Sequence, residues 1–183
     1  MPLITAEMNM AHALKEGDII PQVLDDVFTP ATMLEIKYPN NKEVLLGNTL
    51  TVEETSEAPV VNFAPPDADA EYTLLLVDPD APSKQDPKMA PWRHWVIVNI
   101  PGSQTTNVQA SASQHSEYFG PAPPPGTGPH RYIFLLYKQA NKNNSFQAMS
   151  AEPQARGKFD FKQFAKDNNL ELIAVNYFLC SKE

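Results

Sequence analysis

Cysteine is nearly absent from this chain of 183 residues, which contains only Cys180. A single cysteine excludes an intramolecular disulfide and is typical of proteins in a reducing compartment. No apolar run approaches the roughly 20 residues needed to cross a bilayer. The first ten residues also lack the basic and apolar regions of a secretory signal. These absences predict a soluble, cytoplasmic protein.

Positive charge is also scarce, because 14 lysines and arginines stand against 22 acidic residues and give a net charge of −8. Nucleic acids and anionic membranes attract proteins through positive charge, so this balance argues against a nucleic-acid partner. Any anion must then be bound by locally placed donors. The length and the 42% hydrophobic content predict one globular domain over residues 1–183.

Short apolar segments separated by turn residues predict a mostly β fold. The strand signals, which are β-branched and aromatic residues or alternation of polar and apolar residues, occur at 32–38, 44–46, 60–63, 72–77, 95–100, 132–137 and 170–179. Helical signals are brief: one covers 11–15, and another follows Asp160, a candidate N-cap. Many strands and few helices predict an antiparallel β-sandwich.

The 18 prolines are about twice the number expected for this length, and they concentrate in two loops, 78–91 and 121–129. Both loops adjoin predicted buried strands, so we interpret them as stiff and ordered. The loop ends carry two carboxylates, two imidazoles, an arginine and two aromatic rings, which are Asp78, Asp80, Trp92, His94, His130, Arg131 and Tyr132. These groups converge if the strands are neighbours of the right polarity.

Such a cluster suits anion binding. Aspartates orient imidazole N–H groups, histidines donate to an oxyanion, and the backbone of 126–128 could form a nest for it. Each part has a simpler interpretation, since Asp-Pro-Asp is often only a turn and a histidine at a strand start is often structural. Asp80 is a candidate partner for Arg131. His12 and His115 are predicted to lie at the surface.

Taken together, the two loops are more specific than their parts. The runs Asp78-Pro-Asp-Ala-Pro-Ser, Trp92-Arg-His-Trp and Asn99-Ile-Pro-Gly resemble the first signature of the phosphatidylethanolamine-binding proteins. The run from Tyr118 through Gly-Pro-His130-Arg-Tyr resembles the second signature. This family includes Raf kinase inhibitor protein, the florigens and carboxypeptidase Y inhibitor. The residues of these runs look most like those of a fungal member.

The resemblance implies a large antiparallel sheet packed on a smaller one, with a few short peripheral helices. It also implies a metal-free pocket, without a cofactor, for phosphate, phosphorylethanolamine or a similar small anion. The family's pocket positions fall on Asp78, Pro82, Trp92, His94, Ala122, Pro123, His130 and Tyr132, with Asp80 and Arg131 as supporting residues.

Three departures from the family pattern bear on the pocket. Ala122 replaces a glycine of animal members and narrows the anion seat, and Arg93 occupies a position that varies with the partner. Animal members end in a helix whose tyrosine touches the ligand, whereas this sequence stops at Glu183, so we expect a more open pocket. The family carries a cis peptide at the bond entering position 91, so the resemblance implies a cis bond at Ala90-Pro91, where proline lowers the free-energy cost of cis. We also predict a cis bond at Ala81-Pro82.

Two functional hypotheses of different class remain. The protein is a binding module for phosphate-type ligands or phospholipid headgroups, with peripheral membrane contact, or it is an inhibitor of a serine carboxypeptidase or a signalling kinase. A weak hydrolase or a metal site using His94 and His130 is a lesser alternative. Ser83 is the nearest serine but has no nucleophile motif around it, so we predict no catalytic residues and no metal.

Overall fold

A computed structural model describes residues 2–25 and 28–183. The strands in these residues are β1 (Glu35–Tyr38), β2 (Lys42–Glu43), β3 (Asn48–Thr49), β4 (Val60–Asn62), β5 (Glu71–Asp78), β6 (Trp92–Pro101), β7 (Ser113–Ser116), β8 (His130–Gln139) and β9 (Leu170–Cys180). The helices are α1 (Pro2–Glu16), α2 (Val108–Ser111) and α3 (Phe161–Asp167), and short 3₁₀ turns occupy Pro39–Asn41 and Pro153–Ala155.

The strands form two sheets, as the sequence predicts. The large sheet has the order β3-β9-β8-β5-β6-β7 and the small sheet has the order β2-β1-β4. The strand pairs are antiparallel apart from β3 and β9, which run parallel. Among the described residues, no helix has the length and apolar character needed to cross a membrane.

Both faces of the large sheet are buried, and this explains why its central strands are continuously apolar. In β5, Leu74 and Leu76 belong to the core between the two sheets. Leu75 and Val77 point the other way and belong to a second core that is covered by α1 and α3. Successive side chains of a strand point to opposite faces, so one apolar run supplies both cores.

The register of the large sheet brings three strand ends together. Val77, near the end of β5, lies opposite Arg93 of β6 and Ile133 of β8. The pairing of β5 with β6 shifts between Leu76 and Val77, which leaves His94 as an extra residue on β6. A bulge of this kind redirects a side chain without ending the strand.

Some predicted boundaries were wrong. The first helix begins at Pro2 rather than at residue 11. The segment 44–46 is not a strand, because Leu46 has a positive φ of 49° that breaks the extended backbone. The strand of this region is β2, just before it. The alternation in β1 is confirmed, with Ile36 and Tyr38 buried and Glu35 and Lys37 exposed.

Candidate anion-binding pocket

A cavity of about 220 Å³ lies at the end of the large sheet where β5 finishes and β6 and β8 begin. Its lining is mostly apolar and aromatic, with one carboxylate and two imidazoles. The residues that border it are Asp78, Ala81, Pro82, Met89, Trp92, His94, Phe119, Ala122, Pro124, His130 and Tyr132.

Seven of the eight predicted pocket residues border this cavity. The exception is Pro123, which is buried but does not line it, whereas its neighbour Pro124 does. Sequence reasoning also missed Met89 and Phe119. Phe119 stands beside the second proline loop in the resembling run, so its position was the available signal.

Asp78 and His130 form a buried pair at one side of the cavity. Nδ1 of His130 lies 2.8 Å from Oδ2 of Asp78, and both side chains are almost fully buried. On the other side of the ring, Nε2 of His130 lies 3.0 Å from the hydroxyl oxygen of Thr127. The Thr127 hydroxyl donates to the Pro124 carbonyl at 2.8 Å. Thr127 therefore links the ring of His130 to the second proline loop at Pro124.

His94 uses one ring nitrogen and leaves the other for a ligand. Its Nδ1–H donates to the Phe119 carbonyl, which fixes the ring, while no described residue makes a hydrogen bond to Nε2. Burial lowers the pKa of His94 to about 4, against the opposing effects of Asp78 and the Phe119 carbonyl. The ring is therefore neutral at pH 7, with an Nε2 lone pair next to the cavity.

Aromatic rings wall the cavity around the two histidines. The ring of His94 lies 4.6 Å from Trp92 and 5.1 Å from Tyr132, measured between centroids. His130 stacks on Tyr132 at 6.3 Å, and Tyr132 stacks on Phe178 of the core at 5.2 Å. This packing buries Asp78, His94 and His130 in surroundings of low dielectric, which strengthens their electrostatic interactions.

Asp80 supports the pocket from the opposite face. Its carboxylate accepts from Nη2 and Nε of Arg131 at 2.7 and 2.9 Å and from the Arg131 backbone N–H at 2.9 Å. Nη1 of Arg131 in turn donates to the Asp18 carbonyl after α1, at 2.9 Å. The predicted pairing of Asp80 with Arg131 is thus confirmed, and it ties the first loop to β8 and to the segment after α1.

Three further features of the two loops and of β6 can be compared with the predictions. Both predicted cis peptides are present, together with a third at Ile20-Pro21. The predicted nest at 126–128 is wrong, because the Gly126 N–H donates to the Lys182 carbonyl and these residues do not border the cavity. Arg93 is buried on the far face of β6, where it donates to the Ser116 hydroxyl and the Ser150 carbonyl.

The two histidines outside the pocket differ in exposure. His12 is exposed on α1, as predicted. His115 is half-buried, and its Nε2 lies 2.8 Å from the Gln147 carbonyl.

The described residues show neither a metal cluster nor an activated serine. No set of three or more His, Cys, Asp or Glu side chains in 2–25 and 28–183 is placed to hold a metal ion. The Ser83 hydroxyl oxygen accepts from the Asp86 backbone N–H at 3.1 Å and does not border the cavity.

Comparison with known proteins agrees with this geometry. The family model described as "Phosphatidylethanolamine-binding protein" matches residues 28–178. A carboxypeptidase Y inhibitor from Saccharomyces cerevisiae is 33% identical, with 94% of each chain covered. A putative odorant-binding protein A5 from Drosophila melanogaster is 37% identical over 73% of this chain, which spans only 60% of that protein's length.

Among solved structures, the crystal structure of carboxypeptidase Y inhibitor complexed with the cognate proteinase is similar, with a TM-score of 0.83. That chain is 31% identical, and 96% of each chain is covered. The chain belongs to the phosphatidylethanolamine-binding protein family, and its yeast relatives fit the expected fungal member. The relatives include an inhibitor, which supports a binding or inhibitory role at this coarse level.

Proposed function

We propose that this protein binds small phosphate-type anions, such as phosphorylethanolamine or a phospholipid headgroup, in the cavity at the end of the large sheet. The observation that carries the proposal is the unused Nε2 of His94, which borders a compact aromatic cavity beside the Asp78–His130 pair. Nε2 accepts from a ligand hydroxyl, or takes up a proton and donates to an oxyanion.

The size of the cavity limits the ligand. Pockets for drug-sized molecules occupy about 300–1,000 Å³, whereas this cavity holds about 220 Å³. That volume suits a phosphate carrying a short substituent, with the acyl chains of a whole phospholipid left outside. Met89 and Phe119 at the rim add apolar surface for such a substituent.

Calorimetry with inorganic phosphate and phosphorylethanolamine tests the proposal. The wild type should bind, and His94→Ala should abolish measurable binding because it removes the polar group that faces the ligand. His115→Ala is the matched control, since His115 also hydrogen-bonds to a carbonyl but lies outside the cavity. It should bind like the wild type. An absence of wild-type heat with both ligands would contradict the proposal.

A second candidate function is inhibition of a serine carboxypeptidase. It is supported by the near-complete coverage of the carboxypeptidase Y inhibitor in both sequence and structure. The wild type should then slow peptide hydrolysis by carboxypeptidase Y at stoichiometric concentration. Unchanged inhibition by His94→Ala would place the inhibitory surface outside the pocket, and no inhibition by the wild type would rule this function out.

A further inference from the structure

One buried arginine lies directly behind the pocket wall without touching the cavity. Arg156 follows the turn Pro153–Ala155 and is 3% exposed. Its Nη1 donates to the carbonyls of Arg93 and His94 at 3.2 and 3.3 Å, and its Nη2 donates to the Glu117 carbonyl at 2.9 Å. Its Nε is buried and has no hydrogen-bond partner among the described residues. The guanidinium thus connects the strand that carries His94 to the segment that leads to Phe119.

The aromatic wall of the pocket separates this charge from the cavity. The guanidinium carbon of Arg156 lies 5.7 Å from the ring centroid of Trp92 and 5.5 Å from that of Phe119. Both rings border the cavity. These distances are typical of cation–π contacts. A single layer of aromatic side chains therefore lies between the positive charge and a bound ligand.

The charge of Arg156 has no carboxylate partner at ion-pair distance in the described part of the chain. Arg131, by contrast, is paired with Asp80 at 2.7 Å. Backbone carbonyls satisfy the donors of Arg156 only partly, and the nearest acidic influence on it is the exposed Glu117. A buried cation without an anion is unfavourable in a low-dielectric interior. An anion in the adjacent cavity would supply the missing counter-charge.

We propose that Arg156 is a specificity-determining residue of the pocket, whose charge acts through the Trp92–Phe119 wall and selects doubly charged phosphomonoesters over singly charged phosphodiesters. This inference rests on the proposed function and narrows it. The phosphate of phosphorylethanolamine is a monoester and carries close to two negative charges above pH 7, whereas the phosphate of an intact phospholipid is a diester with one. The pocket should therefore prefer the free headgroup to the lipid.

The surroundings of His94 give an independent way to detect this charge. Burial and the positive charges of Arg156 and His130 lower the pKa of His94, whereas the negative charge of Asp78 on β5 raises it. Removing the charge of Arg156 should therefore raise the pKa of His94 in the free protein. Titration of the His94 ring by NMR measures this shift without a ligand.

The decisive experiment compares methyl phosphate with dimethyl phosphate by calorimetry at pH 8. A unit charge acting over about 8 Å at an effective dielectric of about 30 changes affinity about tenfold. Because methyl phosphate carries two charges and dimethyl phosphate one, Arg156→Met should lose about a hundredfold in affinity for methyl phosphate and about tenfold for dimethyl phosphate, so the preference falls about tenfold. Arg156→Lys keeps the charge and should restore most of the preference.

Arg93→Met is the matched control, because Arg93 is also buried and has no carboxylate partner in the part of the chain that the structure describes, but it contacts Phe159 on the far face of β6. It should keep the preference for methyl phosphate. An equal loss of preference in Arg93→Met, or an unchanged preference in Arg156→Met, would overturn the inference. An unshifted His94 pKa in Arg156→Met would overturn it as well.

The outcomes separate this inference from the proposed function. No wild-type binding of either ester overturns both. Wild-type binding without a preference for methyl phosphate overturns only the role of Arg156. Because this comparison uses the wild type alone, it tests the inference even if Arg156→Met does not fold. Arg156→Gln gives a second neutral variant that can still donate to a carbonyl, and it should match Arg156→Met.

Discussion

The two ends of the large sheet both bury polar side chains, yet they use them differently. At the end opposite the pocket, Gln139 accepts from the Thr73 hydroxyl at 2.8 Å and from the Asn99 backbone N–H at 3.0 Å. Its amide nitrogen donates to the Asn99 side chain and to the Asn141 carbonyl. Every donor and acceptor of this amide is used, and every member of the network is uncharged.

At the pocket end, by contrast, the polar groups are ionisable and one of them is left unused. Asp78 and His130 satisfy each other, but Nε2 of His94 lies beside a cavity and has no hydrogen-bond partner among residues 2–25 and 28–183. The comparison teaches that burial of polar groups does not by itself make a site. In the neutral network every hydrogen-bonding group is satisfied within the protein, whereas the ionisable groups at the pocket end leave one group for a ligand.

The largest effect is expected for Asp80→Ala, which breaks the buried ion pair between Asp80 and Arg131 at the pocket end. Removal of one partner leaves the buried charge of Arg131 without compensation, and we expect a loss of about 3–5 kcal/mol in the free energy of unfolding. Urea denaturation measures it. Asp86→Ala in the same loop removes an exposed carboxylate and should have little effect. Equal stability of the two variants would contradict the support role of Asp80.

The opposite end is tested by Gln139→Leu. This change leaves Thr73 and the Asn99 N–H without partners, so we expect a loss of about 2–3 kcal/mol in unfolding free energy. Phosphate affinity should stay within a factor of about two, because charge is unchanged and the site lies at the other end. Thr73→Val, which removes only one donor of the network, should cost less. A large drop in phosphate affinity would show that the two ends are coupled.

The pH dependence of stability separates the ends further, since the pocket end buries His94 with a lowered pKa, whereas the Gln139 network is uncharged. In the unfolded chain His94 has an ordinary pKa near 6.5, whereas in the folded protein it is about 4. The unfolded state therefore binds more protons in this window. The contribution of neutral His94 to stability is fully present above pH 6.5. It is lost as the pH drops toward 4, which lowers the free energy of unfolding by about 1–3 kcal/mol.

Urea titrations at several pH values measure this decline. His94→Gln should flatten it, while Gln139→Leu should leave its slope unchanged. A decline that persists in His94→Gln would assign it to other groups.

The smallest expected effect is at the rim. Ala122→Gly removes a methyl group from the cavity border and widens the anion seat. The added freedom of glycine in the unbound loop opposes this gain. We expect phosphate affinity to change by less than about threefold, as measured by calorimetry. A change of more than tenfold would show that this methyl group controls access to the pocket.

Much of the fold was predictable because its signals are local. The buried strands β5, β6, β8 and β9 were found from their apolar runs, and the Asp160 cap of α3 is confirmed by its bond to the Gln163 N–H at 2.9 Å. The parallel pairing of β3 with β9 was missed. Two residues, Asn48 and Thr49, carry no periodicity, and their pairing is fixed by contacts distant in sequence.

The identity of the site residues was predictable from the two sequence motifs. Their full pairing was not, because it depends on the register of the strands. The sequence indicated Asp78, His94 and His130 as one cluster and offered Asp80 as a candidate partner for Arg131, but it did not show that Asp78 pairs with His130. The alternation of β8 decides this, since His130 faces the cavity and Arg131 faces the opposite side. Arg156 was missed because its role depends on stacking against rings that are distant in sequence.

The stack of rings beneath the pocket has a consequence for how ligand preference can diverge among related proteins. His130 rests on Tyr132, which rests on Phe178 inside the core between the sheets. The floor of the cavity is therefore the outermost layer of the core, and replacing it disturbs the packing of the whole sandwich. Only loop residues at the rim, such as Met89 and Ala122, can be replaced without disturbing this packing. Related proteins with different ligands should therefore differ in residues of the rim and share those of the floor.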